Sequence, residues 1–195
     1  MSKIILATSS PYRQEAFSFL DLDFIAEGSN VDEKFAGRPD DPEELVKYLS
    51  KLKAEAVANK YKEGIIIGFD SVGYFKGKIL EKPESKEKAF KRLQKLSGNN
   101  LQFCTGIHII NLDNNKIISE VVITDISIRK LTEDEITKYL KQDNKYNTYA
   151  LGFDPLGYYS STFVRKIRGS YNNFLRGIPL ETIVELLKKI NYKTI

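Results

Sequence analysis

The sequence predicts an α/β fold built on a mixed, twisted β-sheet, and three observations carry that prediction. The chain opens strand, turn, helix, with the short apolar run KIILAT followed by Ser9, Ser10 and Pro11. Ile65, Ile66 and Ile67 form an unbroken apolar run of the kind buried on both faces of a sheet. Two long β-rich runs, LQFCTGIHIINL and KIISEVVITDISIR, flank the turn residues Asp113, Asn114 and Asn115 and read as a hairpin. A hairpin beside buried parallel-type strands makes the sheet mixed.

Taken in order, the first helix runs from Pro11 to about Leu20, and a second strand lies near Phe24. The polar, Gly- and Pro-containing stretch GSNVDEKFAGRPDDP is a loop carrying Asp32 and Glu33. Asp41, Pro42 and two glutamates then start a long helix to about Tyr61, which Gly64 breaks. The Ile65–Ile67 strand leads into Asp70 and Ser71. Lys76, Gly77 and Lys78 read as a hairpin turn, Lys82 and Pro83 follow a short strand, and Ser85 caps a helix that Gly98 ends. Beyond the long hairpin, Thr132 and Glu135 make a capping box for a helix to about Gln142. The loop KYNTYALGFDPLG precedes a strand at Thr162 to Arg168, and the last helix follows Pro179 with Leu180, Ile183, Val184 and Leu187 on one face.

Composition narrows the class. At 195 residues, 42% hydrophobic and 29% charged, the chain suits one large domain or two closely joined lobes with a substantial core rather than a disordered segment. The net charge of +4 comes from lysines mixed with acids along helices, not from a basic tail, so the sequence has no stripe suited to nucleic acid. The single cysteine, Cys104, excludes an internal disulfide and fits a reducing cytoplasm. MSKIILATSS lacks a signal-peptide core, and no apolar run is long enough to cross a bilayer.

In open α/β sheets ligands gather where strand C-termini meet loops and helix N-termini, and three segments satisfy that rule. Ser9, Ser10, Pro11, Tyr12 and Arg13 form a strand-to-helix turn whose free N–H groups, hydroxyls and guanidinium suit a phosphate; the alternative is a capped helix with a solvated arginine. Asp70, beside Ser71, combines with Glu33 as hard oxygen ligands for Mg²⁺ or Mn²⁺ and positions a water; the alternative is a turn aspartate. Lys82 and Lys53 are cations that balance phosphate charge, or solvated lysines.

Other chemistries are excluded on physical grounds. Cys104 and His108 lie on one strand, about 13 Å apart at the usual rise, and cannot share a proton. His108 is the one histidine and alternates with Ile107 and Ile109 as a structural strand residue does. Neither GxGxxG after the first strand nor GxxxxGK[ST] occurs, so a phosphate site must use another design.

The ordered segments LATSSPYR, VDEKF, LVKYLSKLKAEAVA, GFDSV, ILEKP, LQKLSG, TGIHI and GSYNNFLRGIPL resemble the Maf family of nucleoside triphosphate pyrophosphatases over nearly the whole chain. The resemblance implies one domain over 1–195, with two lobes around a deep cleft as in Maf and ITPase-like folds. It also implies metal-dependent release of pyrophosphate from a nucleoside triphosphate, and often a homodimer. Asp70 matches the family's catalytic acid, and Ser9, Arg13, Glu33, Lys53 and Lys82 match positions that line its cleft.

Three departures bear on substrate choice. Tyr12 stands where many members carry a second arginine, and Ser71 where threonine is usual. In KYNTYALGFDPLG, Tyr146 and Asn147 replace an Asp-Lys pair, and Asp154 falls at a glutamine position, where an acid favours a base that donates hydrogen bonds. The expected mechanism has Asp70 and Glu33 holding the cation, Asp70 activating water for attack on the α-phosphorus, and Arg13, Lys53 and Lys82 stabilising the developing charge. The alternatives are a pyrophosphatase for damaged purine nucleotides of the ITP or XTP type, and a nucleotide-binding regulator, of cell division for example, with little catalysis.

Overall fold

The computed structural model describes residues 2–193, so the ends of the 1–195 span lie outside the described residues. Within them the chain runs β1 (Ile4–Ala7), α1 (Pro11–Ser18), β2 (Phe24–Ala26), α2 (Pro42–Ala58), β3 (Ile65–Phe75), β4 (Lys78–Leu80), α3 (Lys86–Leu96), β5 (Asn100–Asn111), β6 (Lys116–Ile128), α4 (Glu133–Gln142), β7 (Val164–Arg168), α5 (Tyr171–Arg176) and α6 (Leu180–Lys189). Short 3-10 turns occupy Tyr146–Thr148 and Tyr159–Thr162.

The strands form a mixed sheet in the order β2-β1-β3-β5-β6-β7, with β4 added beside β3. β2, β1 and the first half of β3 run parallel, whereas β3, β5, β6 and β7 pair antiparallel. The pairing of β3 places the site. Its parallel partner β1 stops at Ala7 opposite Gly68, and its antiparallel partner β4 starts only at Gly73 opposite Leu80. Along that edge, Phe69 to Val72 face neither strand, and the interruption falls on Asp70 and Ser71.

Helix α2 lies directly on the sheet because two glycines let it. A methyl group on Gly68 would stand 2.2 Å from the Ser50 carbonyl oxygen, and one on Gly106 would stand 2.1 Å from that of Val46. Gly106 pairs with Asp70 across the β3–β5 ladder, so the same close approach that seats α2 also sets the helix over the acid. Asp41 caps α2 by accepting from the N–H groups of Glu43 and Glu44, both at 2.9 Å.

The apolar core is divided along the long strands. On one face at the parallel end, Ile4, Leu6, Ile65, Ile67 and Phe69 pack with Phe17 of α1 and with Ile183 and Leu187 of α6. On the opposite face, Ile5 and Ile66 pack against Ala54 and Val57 of α2, and Val72 and Cys104 pack against its Leu45, Val46 and Leu49. At the other end of β5 and β6, a separate cluster gathers α3, α4, α5 and the 150s loop around Phe103, Tyr139, Phe153 and Phe163.

Several boundaries differ from the sequence expectation. The strand read at Ile65–Ile67 continues to Phe75, because its second half is recruited by β4 and β5. Helix α2 ends at Ala58 rather than near Tyr61, and α1 at Ser18 rather than Leu20. In α6 the buried face is Leu180, Ile183, Leu186 and Leu187; Val184 is only half-buried. Helix α5 was not expected, although Ser170 caps it through the Asn173 N–H and Gly177 closes it in the left-handed conformation.

The predicted capping box of α4 forms, with Thr132 and Glu135 exchanging side-chain to backbone bonds. Glu135 also accepts from both terminal nitrogens of Arg129, at 2.7 and 3.0 Å, and from the Tyr159 hydroxyl at 3.0 Å. Those bonds, Arg129 first, hold its pKa down from 4.5 to about 2. A depressed carboxylate pKa contributes stability above the unfolded value and loses it as pH falls through the folded one. The urea midpoint of the wild type should therefore exceed that of Glu135→Gln by a constant margin above pH 4.5, and the margin should close as pH falls to about 2. A margin independent of pH would show that the Arg129 pair does not set this dependence.

Candidate active site

An open cleft of about 560 Å³ lies over the interrupted edge of β3. Its floor is Asp70, 6% exposed, beside Ser71. Lys53 on α2 is 8% exposed and reaches across to donate to Asp70 at 2.7 Å. The same ammonium meets Glu33, from the loop after β2, at 2.7 Å. One cation thus holds two carboxylates from two different elements, each through a single oxygen, and leaves their other oxygens uncommitted.

For Glu33, burial pushes the pKa up, but the Lys53 hydrogen bond and the charges of Lys53, Lys82 and Arg13 outweigh it, and the group ends below the usual carboxylate range. It therefore stays ionised to lower pH than a free glutamate. Lys53→Met removes the bond and the nearest charge while leaving the burial in place. The Glu33 pKa should rise in that variant, visible as an upfield-to-downfield carboxyl titration at higher pH by carbon NMR. An unmoved titration would show that Lys53 does not govern Glu33.

Helix α1 begins at the cleft wall. Pro11 has no N–H to cap, Ser10 makes no side-chain cap, and the Ser10 N–H is taken by the Thr8 hydroxyl at 3.1 Å. The first-turn N–H groups of Tyr12 and Arg13 are thus left for an anion at the positive end of the helix, with Ser9 and Ser10 beside them. Lys82, exposed on the loop after β4, lines the same cleft and lies near enough to Glu33 to lower its pKa.

Arg13 is placed differently from the sequence expectation of a cation directed at phosphate. Its Nε donates to the Gly177 carbonyl at 2.9 Å, one terminal nitrogen to Ser71 Oγ at 2.7 Å and the other to the Phe69 carbonyl at 3.5 Å. The guanidinium fills the gap where β3 lacks a strand partner and ties α1 to α5. Burial pulls its pKa below the ordinary arginine value, with Asp70 and Glu33 opposing that shift. Gly177 sits at φ +65°, and a methyl group there would approach Ser71 Oγ to 3.2 Å, so glycine both turns the carbonyl toward Arg13 and leaves it room. Ser71 is further bonded to Thr105 at 2.7 Å.

A second wall is aromatic and forms where the side chain of Tyr12 on α1 meets the loop around Tyr149 to Asp154 and α5. Tyr12 and Tyr149 stand 5.6 Å apart between ring centroids, with their hydroxyls at 3.4 Å. Asp154 lines this wall, where Oδ1 accepts from the Leu156 N–H at 3.0 Å. The structure thus brings all ten sequence candidates, Ser9, Ser10, Tyr12, Arg13, Glu33, Lys53, Asp70, Ser71, Lys82 and Asp154, to one cleft. Sequence reasoning missed Tyr149 and Arg176, which also line it. For Arg176 a signal existed, since Ser170 and Gly177 bracket α5, but no apolar periodicity marks so short a helix.

Among the described residues no group of three His, Cys, Asp or Glu side chains gathers as a metal site. The Asp70–Glu33 pair nevertheless has the donor chemistry that Mg²⁺ uses, one or two carboxylates completed by phosphate oxygens and water. No helix among the described residues is long and apolar enough to cross a membrane.

Comparison with known proteins bears on this site. The family described as Maf-like protein matches residues 3–190. A protein named 7-methyl-GTP pyrophosphatase from Pseudomonas syringae pv. tomato is 35% identical over 190 residues, covering 97% of either chain. Proteins named dTTP/UTP pyrophosphatase are 32% identical in Ruminiclostridium cellulolyticum, with all of both chains covered, and 35% identical in Syntrophus aciditrophicus, covering 98% of this chain and 92% of the other. Relatives at the same level of identity thus carry names with different bases.

Proposed function

Since the chain belongs to the Maf-like protein family, we propose that it is a nucleoside triphosphate pyrophosphatase, cleaving its substrate to the monophosphate and pyrophosphate in the cleft over Asp70. The observation that carries this reading is the Asp70–Lys53–Glu33 cluster, buried at Asp70 and Lys53 and open to solvent at Glu33, set beside the uncapped N-terminus of α1. A nucleophile-directing carboxylate and an anion cradle are the two parts that phosphoryl transfer requires.

In the proposed mechanism Asp70, held by Lys53 through Oδ1, uses Oδ2 to orient a water toward the α-phosphorus and to take its proton. Lys53 helps keep Glu33 ionised and fixes the direction of both carboxylates. Lys82 and the first-turn N–H groups of α1 meet the phosphate oxygens, where negative charge moves toward the leaving pyrophosphate. Ser9 and Ser10 add hydroxyl donors. Arg13 acts through Ser71 and Gly177, bracing the wall rather than touching phosphate. A divalent cation, Mg²⁺ or Mn²⁺, held by Asp70 and Glu33 would supply charge neutralisation on the phosphates.

The reading takes 1–195 as one domain whose two lobes are the parallel end of the sheet and the aromatic cluster of α3, α4 and α5, with the cleft between them. The two separate apolar clusters support that division. A cytoplasmic place and a homodimer belong to the same proposal; light scattering tests the second.

The experiment is pyrophosphate release from a panel of ordinary and modified nucleoside triphosphates, with Mg²⁺, with Mn²⁺ and with a chelator. Release that needs the cation supports the reading. Nucleotide binding without release from any member of the panel would favour the regulator instead.

A further inference from the structure

Two arginines line the cleft, and they are committed in opposite ways. Arg13 spends its donors on Gly177, Ser71 and Phe69. Arg176, at the end of α5, is held by two long ion pairs, 3.5 Å to Glu15 and 3.8 Å to Asp154, both beyond the 2.7–2.9 Å of a charge-assisted hydrogen bond. Its guanidinium also lies over the Tyr12 ring, 5.8 Å from the centroid. It is oriented and largely shielded, 18% exposed, without its donors being consumed.

Asp154 beside it is 14% exposed, and its Oδ1 carries a single N–H bond from Leu156. A guanidinium and a carboxylate side by side, with Tyr12 and Tyr149 at the same wall, make a donor–acceptor couple next to an aromatic surface. The Asp154 carboxylate disfavours a triphosphate at that wall, and the place of the triphosphate is beside Lys53, Lys82 and the first-turn N–H groups of α1. What suits the couple is the edge of a base. Among ordinary bases guanine alone offers two adjacent donors, N1–H and the N2 amino group, next to the O6 acceptor. A carboxylate accepts the two donors in parallel, and arginine is the residue that best matches O6 and N7.

We propose that Arg176 and Asp154 together determine base specificity, and that the base is guanine or a derivative keeping O6, N1–H and N2. The inference rests on the pyrophosphatase reading for the placement of the triphosphate. It selects between bases where the names of the relatives diverge.

The test is equilibrium binding of GTP, ITP, ATP and UTP, with Mg²⁺, to the Asp70→Asn protein, read by calorimetry so that no hydrolysis is needed. GTP should bind about tenfold or more tighter than ITP, which lacks the N2 amino group, and tighter again than ATP and UTP. Adding Asp154→Asn or Arg176→Gln should remove the GTP preference while leaving UTP binding within about twofold. Equal binding of the four, a preference for ATP or UTP, absence of binding, or an equal loss for all four in Arg176→Gln overturns the inference. A GTP preference in a wild type that releases no pyrophosphate would overturn only the pyrophosphatase reading. Release without a base preference would overturn only this one.

Discussion

Replacing Asp70 by asparagine is expected to lower pyrophosphate release by about a hundredfold or more while the protein stays folded, because a positioned general base contributes on that scale. The substitution keeps the shape of the side chain and an oxygen able to accept from Lys53, and Lys53 retains Glu33 as its counter-ion. The fold therefore loses little, whereas the group that takes the proton is gone. Kinetics beside a thermal melt separate the two effects. Near-normal release would remove Asp70 from the mechanism, and a melting temperature that collapsed with activity would assign Asp70 a structural role.

Gly106→Ala is expected to be the most damaging single methyl in the sheet. The added carbon would lie 2.1 Å from the Val46 carbonyl oxygen and 2.4 Å from its carbon, and backbone inside a helix cannot swing away as a side-chain tip can. Either α2 lifts or β5 sinks, at a cost of about 3 kcal/mol, the upper part of the usual range for overpacking. For a chain of this length that corresponds to a fall in Tm of roughly 6–12 °C. Gly68→Ala meets the Ser50 carbonyl in the same way, whereas Gly28→Ala, with nothing nearer than 3.8 Å, should melt close to the wild type. Because α2 carries Lys53 to Asp70, any residual fold of Gly106→Ala should also show reduced turnover. A Tm unchanged in Gly106→Ala would mean that the helix does not need this close approach.

The elements that were legible in the sequence are those whose stabilising forces are local or strongly periodic. The Thr132–Glu135 capping box forms as its spacing predicts, and the Asp113–Asn115 turn joins β5 to β6 in the predicted hairpin. What misled was context. The Ile65–Ile67 run marks only the continuously apolar start of β3; the remainder, although largely buried, mixes glycine, polar and aromatic residues and is a strand because β4 and β5 pair with it. Val184 fits the helical periodicity of α6 as well as Leu186 does, and only the angle at which α6 lies on the sheet buries the second. The carboxylates and lysines of the site were legible as residue types near strand ends. Which of them pair was not, since Lys53 and Asp70 are 17 positions apart and meet only once α2 is seated.

By itself, then, the sequence determined the order and kind of most elements, the mixed character of the sheet and ten of the side chains that line the cleft, because propensity, capping and hydrophobic period act over a few residues. The tertiary structure alone decided the commitments within that set. It spent Arg13 on the gap in β3 and left Arg176 facing the cleft, and it joined Asp70 to Glu33 through one buried ammonium. The reason is geometric: a charged group is drawn to whichever partner is nearest once the chain is packed, and nearness across a sheet edge is fixed by strand register and helix seating, neither of which any short stretch of sequence encodes.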